Sequence, residues 1–201
     1  MRPQTDALIV IDVQNDFCPG GALAVAGGDG IIGGINALMD EFQAVILTQD
    51  WHPAGHSSFA TSHGLTPFSM IEMPYGPQVL WPDHCVQGSK GADFHAALNT
   101  DRADMIIRKG YNPLIDSYSA FFENDHKTPT GLTGYLQTRG IKRLTFVGLA
   151  LDFCVSFSAL DAAKLGFDVT VNQALTRAID LDGSLVAAQK SMQDAGVKLE
   201  G

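Results

Sequence analysis

Cys154 lies in Leu144-Thr-Phe-Val-Gly-Leu-Ala-Leu-Asp-Phe-Cys-Val-Ser-Phe157. The stretch begins as an apolar, β-branched and aromatic run, the pattern of a buried strand. Two small residues, Gly148 and Ala150, then keep the turn tight. Asp152 reads as the N-cap of a helix that runs to about Leu165 and stops before Gly166. In that reading the thiol sits in the first helical turn, just beyond the carboxyl end of a strand. Backbone N–H groups lack intrahelical partners there, and the helix dipole favours negative charge. A thiol so placed is expected to have a lowered pKa, and the thiolate is the nucleophile. A structural cysteine buried among apolar neighbours is the alternative.

A second group is richer in imidazole. Asp50-Trp-His52-Pro-Ala-Gly-His56 packs a carboxylate and two histidines into seven residues, and His84 follows in Trp81-Pro-Asp-His-Cys85. A carboxylate with neutral imidazoles is a borderline donor set suited to Zn²⁺, Fe²⁺ or Mn²⁺. Lacking thiolates, such a site is expected to serve catalysis or substrate binding rather than structure. Loop histidines bonded to backbone are the alternative. Asp83 is open to a supporting role or a solvated one, and Cys85, beside Val86, reads as packing. His63, His95 and His126 read as surface or structural residues.

The elements that must position these groups alternate along the chain. Apolar runs predict strands at 7–11, 44–48, 104–109, 144–147, 167–171 and 197–199. Helical spacing predicts helices at 31–42, 132–138, from Asp152 to Leu165, and 185–195. Residues 51–92 are rich in Pro, Gly, His and Ser without periodicity, and so long a loop inside one domain is expected to be functional. Strand–helix alternation means a parallel sheet covered on both faces, with the working site outside the carboxyl ends of the strands. Asp12, Asp50, Lys109 and the turn before Cys154 each close one of the first four strands. That coincidence favours catalysis at Cys154. Taken alone, Asp12 would read as a turn cap and Lys109 as a solvated charge.

Bulk properties narrow the classes. A chain of 201 residues with 45% hydrophobic and 17% charged residues fits one domain, 1–201, with a substantial core. The net charge of −9 leaves no basic patch to neutralise phosphates, which excludes a nucleic-acid partner. Three cysteines without a CxxC pair suggest neither disulfides nor a zinc ribbon, so a reducing compartment fits. The first apolar run is too short for a signal peptide and no run reaches membrane-spanning length. Cytoplasm is the expected location, with no membrane partner; a homo-oligomer is compatible with all of this.

These motifs resemble a known family. Ile11-Asp-Val-Gln-Asn-Asp-Phe17, the Asp50–His56 stretch with Ser58-Phe-Ala60, Trp81-Pro-Asp-His-Cys85, Arg108-Lys-Gly110 and Gly148-Leu-Ala-Leu-Asp-Phe-Cys-Val155 are similar to the nicotinamidases of the isochorismatase-like hydrolase superfamily. The likeness runs from the first strand to the last helix, in order. The Asp–Lys–Cys set is shared by several amidases of the superfamily; the DxHxxxH and WPxHC motifs are the ones that select nicotinamidase.

The resemblance implies a single three-layer α/β/α domain whose six-stranded, mainly parallel sheet has the order 3-2-1-4-5-6. It implies Cys154 as nucleophile, Asp12 as its base and Lys109 as third catalytic member. It implies one divalent metal ion, zinc foremost with Fe²⁺ or Mn²⁺ as alternatives, on Asp50, His52 and His84, with His56 as a further ligand. It implies a cis peptide at Leu149-Ala150, an oxyanion hole from the Ala150 and Cys154 N–H groups, and ring contacts from Phe17 and Trp81 with Tyr118 lining the pocket. Phe153 departs from the pattern, since relatives often carry a polar or smaller residue there. The reaction implied is hydrolysis of the small-molecule amide nicotinamide, and of pyrazinamide, in NAD salvage. Two rivals are an N-carbamoyl or ureido amide hydrolase, which would not need the histidines, and a silent relative that only binds, which would be expected to have lost Cys154, Asp12 or Lys109.

Overall fold

Strand β1 (Asp6–Ile11) is buried along its whole length. Its run of Leu8, Ile9, Val10 and Ile11 has no polar alternation, as a strand covered on both faces requires. It lies at the centre of the computed structural model, which describes residues 1–201. After it come a short α1 (Ile32–Met39) and a fully buried β2 (Ala44–Asp50). A small hairpin follows, β3 (Met70–Met73) and β4 (Gly76–Val79), then β5 (Met105–Lys109) and α2 (Leu132–Thr138). β6 (Arg143–Leu149) leads through a π-type turn (Leu151–Val155) into α3 (Ser156–Lys164). β7 (Asp168–Arg177), α4 (Ser184–Asp194) and β8 (Lys198–Glu200) complete the chain.

The main sheet has the order β5-β2-β1-β6-β7-β8, and every pairing in it is parallel. With the hairpin set aside this is the expected 3-2-1-4-5-6, in a single α/β domain. Alternate β1 side chains face opposite layers. Ala7, Ile9 and Ile11 join α2, α3 and α4 in one core, and Leu8 and Val10 join α1 in the other. No helix is long and apolar enough to cross a membrane.

Three expectations are corrected. Residues 51–92 are not wholly irregular, because the hairpin β3–β4 lies within them. The first helix is shorter than 31–42: it begins with a 3₁₀ turn, Gly28–Ile31, and ends at Met39. Asp152 does not cap α3. The turn is capped two residues earlier, by Ala150, and the carboxylate reaches away to the segment at the start of α4. There it accepts the Ile179 N–H at 3.0 Å, the Asp180 N–H at 2.7 Å and the Ser184 hydroxyl at 2.5 Å.

Strand order reverses between β1 and β6, and both strands end beside the site. Their close approach depends on Gly148, whose φ is +109° and whose Cβ, if present, would run into the Ile11 carbonyl. Gly148→Ala is therefore expected to lower stability by about 1–3 kcal/mol from the backbone conformation alone, read as a fall in the urea unfolding midpoint. An unchanged midpoint would mean that β6 can move off β1 at no cost.

Candidate active site

Four adjacent strand ends converge here. In the sheet register Asp50 pairs with Lys109 across β2 and β5, and Ile11 with Gly148 across β1 and β6. Asp12 follows β1 directly, with an unusual φ of +46°. Its backbone and side chain are both tied to Thr48 on β2: the Asp12 N–H donates to Oγ1 at 3.1 Å, and that hydroxyl donates to Oδ1 at 2.6 Å. Thr48 was missed in the sequence, although it stands two residues before Asp50 and so shares its face of the strand.

The Lys109 ammonium is fully buried and joins the groups. Nζ lies 2.8 Å from Asp12 Oδ2, 3.1 Å from Asp50 Oδ1 and 3.5 Å from Cys154 Sγ, and donates to the Ser117 carbonyl at 2.9 Å. Burial works against the ammonium, but Asp12 and Asp50 together hold its pKa well above the usual value. Asp12 Oδ2 makes the ion pair yet receives no well-directed hydrogen bond, so a buried lone pair remains free to take a proton. Burial raises the Asp12 pKa, and Lys109 offsets this only in part. A carboxylate so placed is a competent base for its neighbour.

The thiol differs from expectation. Burial, first, and then the charges of Asp12 and Asp50 hold the Cys154 pKa well above its usual value, against the pull of Lys109. The lowering expected from a helix start does not win, because the sulfur is buried beside two carboxylates. Cys154 is therefore a thiol at rest, and activation must come from proton removal. The Leu149-Ala150 peptide is cis.

On the other side of Lys109, Asp50 Oδ2 faces two imidazoles: His52 Nε2 at 3.0 Å and His84 Nε2 at 3.3 Å. His52 Nδ1 lies 2.8 Å from the Gly110 carbonyl, and His84 Nδ1 lies 2.9 Å from the Pro82 carbonyl. A carbonyl only accepts, so each ring carries its proton on Nδ1 and turns an Nε2 lone pair toward the same carboxylate oxygen. Three acceptors cannot satisfy one another. A proton on His52 would relieve one contact, and Asp50 does raise the His52 pKa against burial. A single cation relieves all three. Donor atoms sharing an ion at about 2.0–2.1 Å stand about 2.9–3.4 Å apart, as these contacts do, so the residues fit a metal.

His56 is set apart from that trio. Its Nε2 lies 2.8 Å from the Asn112 carbonyl and its Nδ1 2.8 Å from the Ser58 hydroxyl, so both nitrogens are engaged. It groups instead with His52 and Asp116, whereas Asp50, His52 and His84 form a cluster of their own. Asp116 went unnoticed in the sequence, where nothing in its spacing marks it. Phe17 packs edge-on to His84 at 5.5 Å. Trp81 packs on Phe153 at 4.9 Å and donates its indole N–H to the Tyr118 hydroxyl at 3.1 Å. Cys85, fully buried and with its pKa pushed well up by burial, packs in the core.

Residues 6–200 match the model of the isochorismatase domain. The chain belongs to the isochorismatase family. It is 54% identical over 193 residues to the nicotinamidase of Acinetobacter baylyi, covering 96% of this chain and 90% of that one. The solved nicotinamidase/pyrazinamidase of Acinetobacter baumanii superposes with a TM-score of 0.98 at 55% identity, covering 100% and 97% of the two chains. The pyrazinamidase of Pyrococcus horikoshii, solved in complex with zinc, superposes with a TM-score of 0.78 at 35% identity, covering 97% and 98%. The resemblance read from the motifs is thus borne out at the level of the family and of its nicotinamidase branch.

The Lys109 geometry makes a prediction for stability. Lys109→Met would leave Asp12 and Asp50 buried without their cation, and breaking such a pair costs about 3–5 kcal/mol. Equilibrium unfolding in urea should show a loss of that order. A loss within error of zero would mean that the carboxylates reach water more easily than their burial implies.

Proposed function

We propose that this isochorismatase-family chain is a cysteine amidase that hydrolyses nicotinamide to nicotinate and ammonia and also accepts pyrazinamide. One observation carries the reading: the Asp12–Lys109–Cys154 cluster shares Lys109 with the Asp50–His52–His84 trio, in a chain this similar to nicotinamidases. The three free cysteines are in keeping with a cytoplasmic role in NAD salvage.

Asp12 takes the Cys154 proton on its free Oδ2, and the sulfur attacks the carboxamide carbon. The carbonyl π pair moves to oxygen, where the Ala150 and Cys154 N–H groups receive it. As the C–N bond breaks, protonated Asp12 gives its proton to the departing nitrogen and ammonia leaves. Water then attacks the thioester carbon while Asp12 takes its proton. The C–S bond breaks, the proton on Asp12 returns to sulfur, and the product leaves as nicotinic acid, which ionises to nicotinate in water. Lys109 keeps Asp12 oriented throughout and offsets the charge that develops on sulfur. Phe17, Trp81 and Tyr118 hold the ring.

A divalent ion, zinc in keeping with the zinc-bound relative, would be held by Asp50, His52 and His84 and, when bound, supplies a ligand position for the pyridine nitrogen that orients the ring. His56 braces that side of the site beside His52. The donor set accommodates Fe²⁺ or Mn²⁺ equally well in chemical terms.

Three experiments test the reading. Asp12→Asn keeps the shape but cannot accept the proton, so ammonia release from nicotinamide should fall at least ~10²-fold; Cys154→Ala should abolish it. Near-normal turnover by either variant would remove the proposed nucleophile–base pair. Benzamide lacks the ring nitrogen, and sites built on a polar contact commonly reject the analogue without it by ~10⁴ or more. Chelation should likewise stop nicotinamide turnover, and added Zn²⁺ should restore it. Comparable rates on benzamide and nicotinamide would show that the ring nitrogen is not read.

A further inference from the structure

Asp116 is a buried carboxylate that the reaction above does not use. Its only charged contact is His52, whose Nε2 lies 3.9 Å from Oδ1. Otherwise Oδ1 accepts the Ser117 N–H at 2.8 Å and Oδ2 accepts the Gln78 amide at 2.8 Å. The carboxylate is 2% exposed, and no lysine or arginine reaches it. Burying an ion without a partner costs several kcal/mol, so the charge has to be answered by something.

The balance of buried charge says what is missing. Asp12 and Asp50 lie buried against Lys109, Asp116 lies buried beside His52 with buried Glu123 near it, and Lys109 is the only buried ammonium among them. His52 cannot serve as a cation and a metal ligand together, because ligation needs the neutral ring. Once Lys109 is counted, the carboxylates keep an excess of negative charge, which a cation answers.

Asp116 cannot be an ordinary ligand of that ion. Atoms bound to one ion at about 2.1 Å are at most about 4.2 Å apart. Asp50, His52 and His84 donor atoms all lie within 4.8 Å of one another, but Asp116 meets that limit only together with His52 and His56. A gap of 3.9 Å between Oδ1 and His52 Nε2 is too long for a hydrogen bond, and it leaves the carboxylate close to where the ion would sit, at a separation that a water held by the ion would fill.

Resting on the metal reading given above, we propose that Asp116 is a positioning residue for the ion. Its Oδ1 accepts a hydrogen bond from a water bound to the metal, and its charge helps to offset that of the ion. The water keeps one coordination position filled until a ring nitrogen displaces it, so Asp116 governs how firmly the ion is kept as well as how substrate enters.

The test reads metal retention. Zn²⁺-loaded protein is dialysed against graded chelator buffers, and residual zinc is measured by atomic absorption. Removing a group that supports a metal from outside its ligand set typically weakens binding ~10–100-fold. Asp116→Asn should therefore be stripped at ~10–100-fold lower chelator strength than the parent. Gln78→Met removes a hydrogen bond to the same carboxylate but leaves its charge, and should hold zinc about as firmly as the parent. Should Asp116→Asn fail to fold, Asp116→Ser removes the same charge with less demand on Gln78. Equal retention by the parent and the Asp116 variant would overturn the proposal while leaving the metal reading intact. Equal loss from the Asp116 and Gln78 variants would overturn it in favour of a structural role. A parent that takes up no Zn²⁺ would overturn both.

Discussion

The buried ammonium of Lys109 is the contact on which the site depends. Each ion taken out of water costs several kcal/mol even after relaxation, and the strand ends bury at least two carboxylates beside it. One lysine offsets much of that by touching Asp12 and Asp50 together, with the Ser117 carbonyl accepting a further hydrogen bond from it. The same arrangement fixes where Nζ sits, 3.5 Å from the thiol. Stability and chemistry are therefore not separable here. A side chain that is needed to bury the carboxylates also carries the positive charge nearest the sulfur.

Lys109 also divides the carboxylates into two kinds of work. Asp12 is held by Thr48 on one oxygen and keeps the other free, with burial raising its affinity for a proton. Asp50 is subject to the same burial, yet positive charge beside it, from a protonated His52 and from Lys109, outweighs burial and holds its pKa well below the carboxylate range. Two chemically identical groups, each at a strand end, thus differ in how readily they take up a proton. A base needs the first property and a metal ligand the second. The neighbours decide, and they come from β2, β5, the turn after β2 that carries His52 and the loop that contains His84.

The sheet makes this economical. Because β5, β2, β1 and β6 are adjacent and parallel, their carboxyl ends lie on one edge, and residues one or two positions past each strand meet. The turn after β6 brings the nucleophile to the point where strand order reverses. Gly148 permits that turn to pass the Ile11 carbonyl. Beyond it, Asp152 anchors the turn to the loop before α4 rather than capping α3, so the nucleophile segment is braced by the chain that follows β7.

Much of this was legible in the chain itself. Apolar runs without alternation specified buried parallel strands, because a strand covered by helices on both faces has no side to leave polar. With the strands located, Asp12, Asp50, Lys109 and Cys154 were determined as residues of one edge, since parallel strands share the end at which they stop. What spacing could not convey was the contribution of segments without a period. Asp116 and Ser117 belong to an irregular stretch, and only the folded chain brings them to Lys109 and His52. The sequence also misjudged the thiol, because a helix start lowers a cysteine pKa only where burial and neighbouring carboxylates do not oppose it. Local order is written by residues near one another in the chain. Proton affinities, tautomers and the balance of buried charge depend on distances of 3–4 Å between residues far apart in sequence, and the tertiary structure alone decides those.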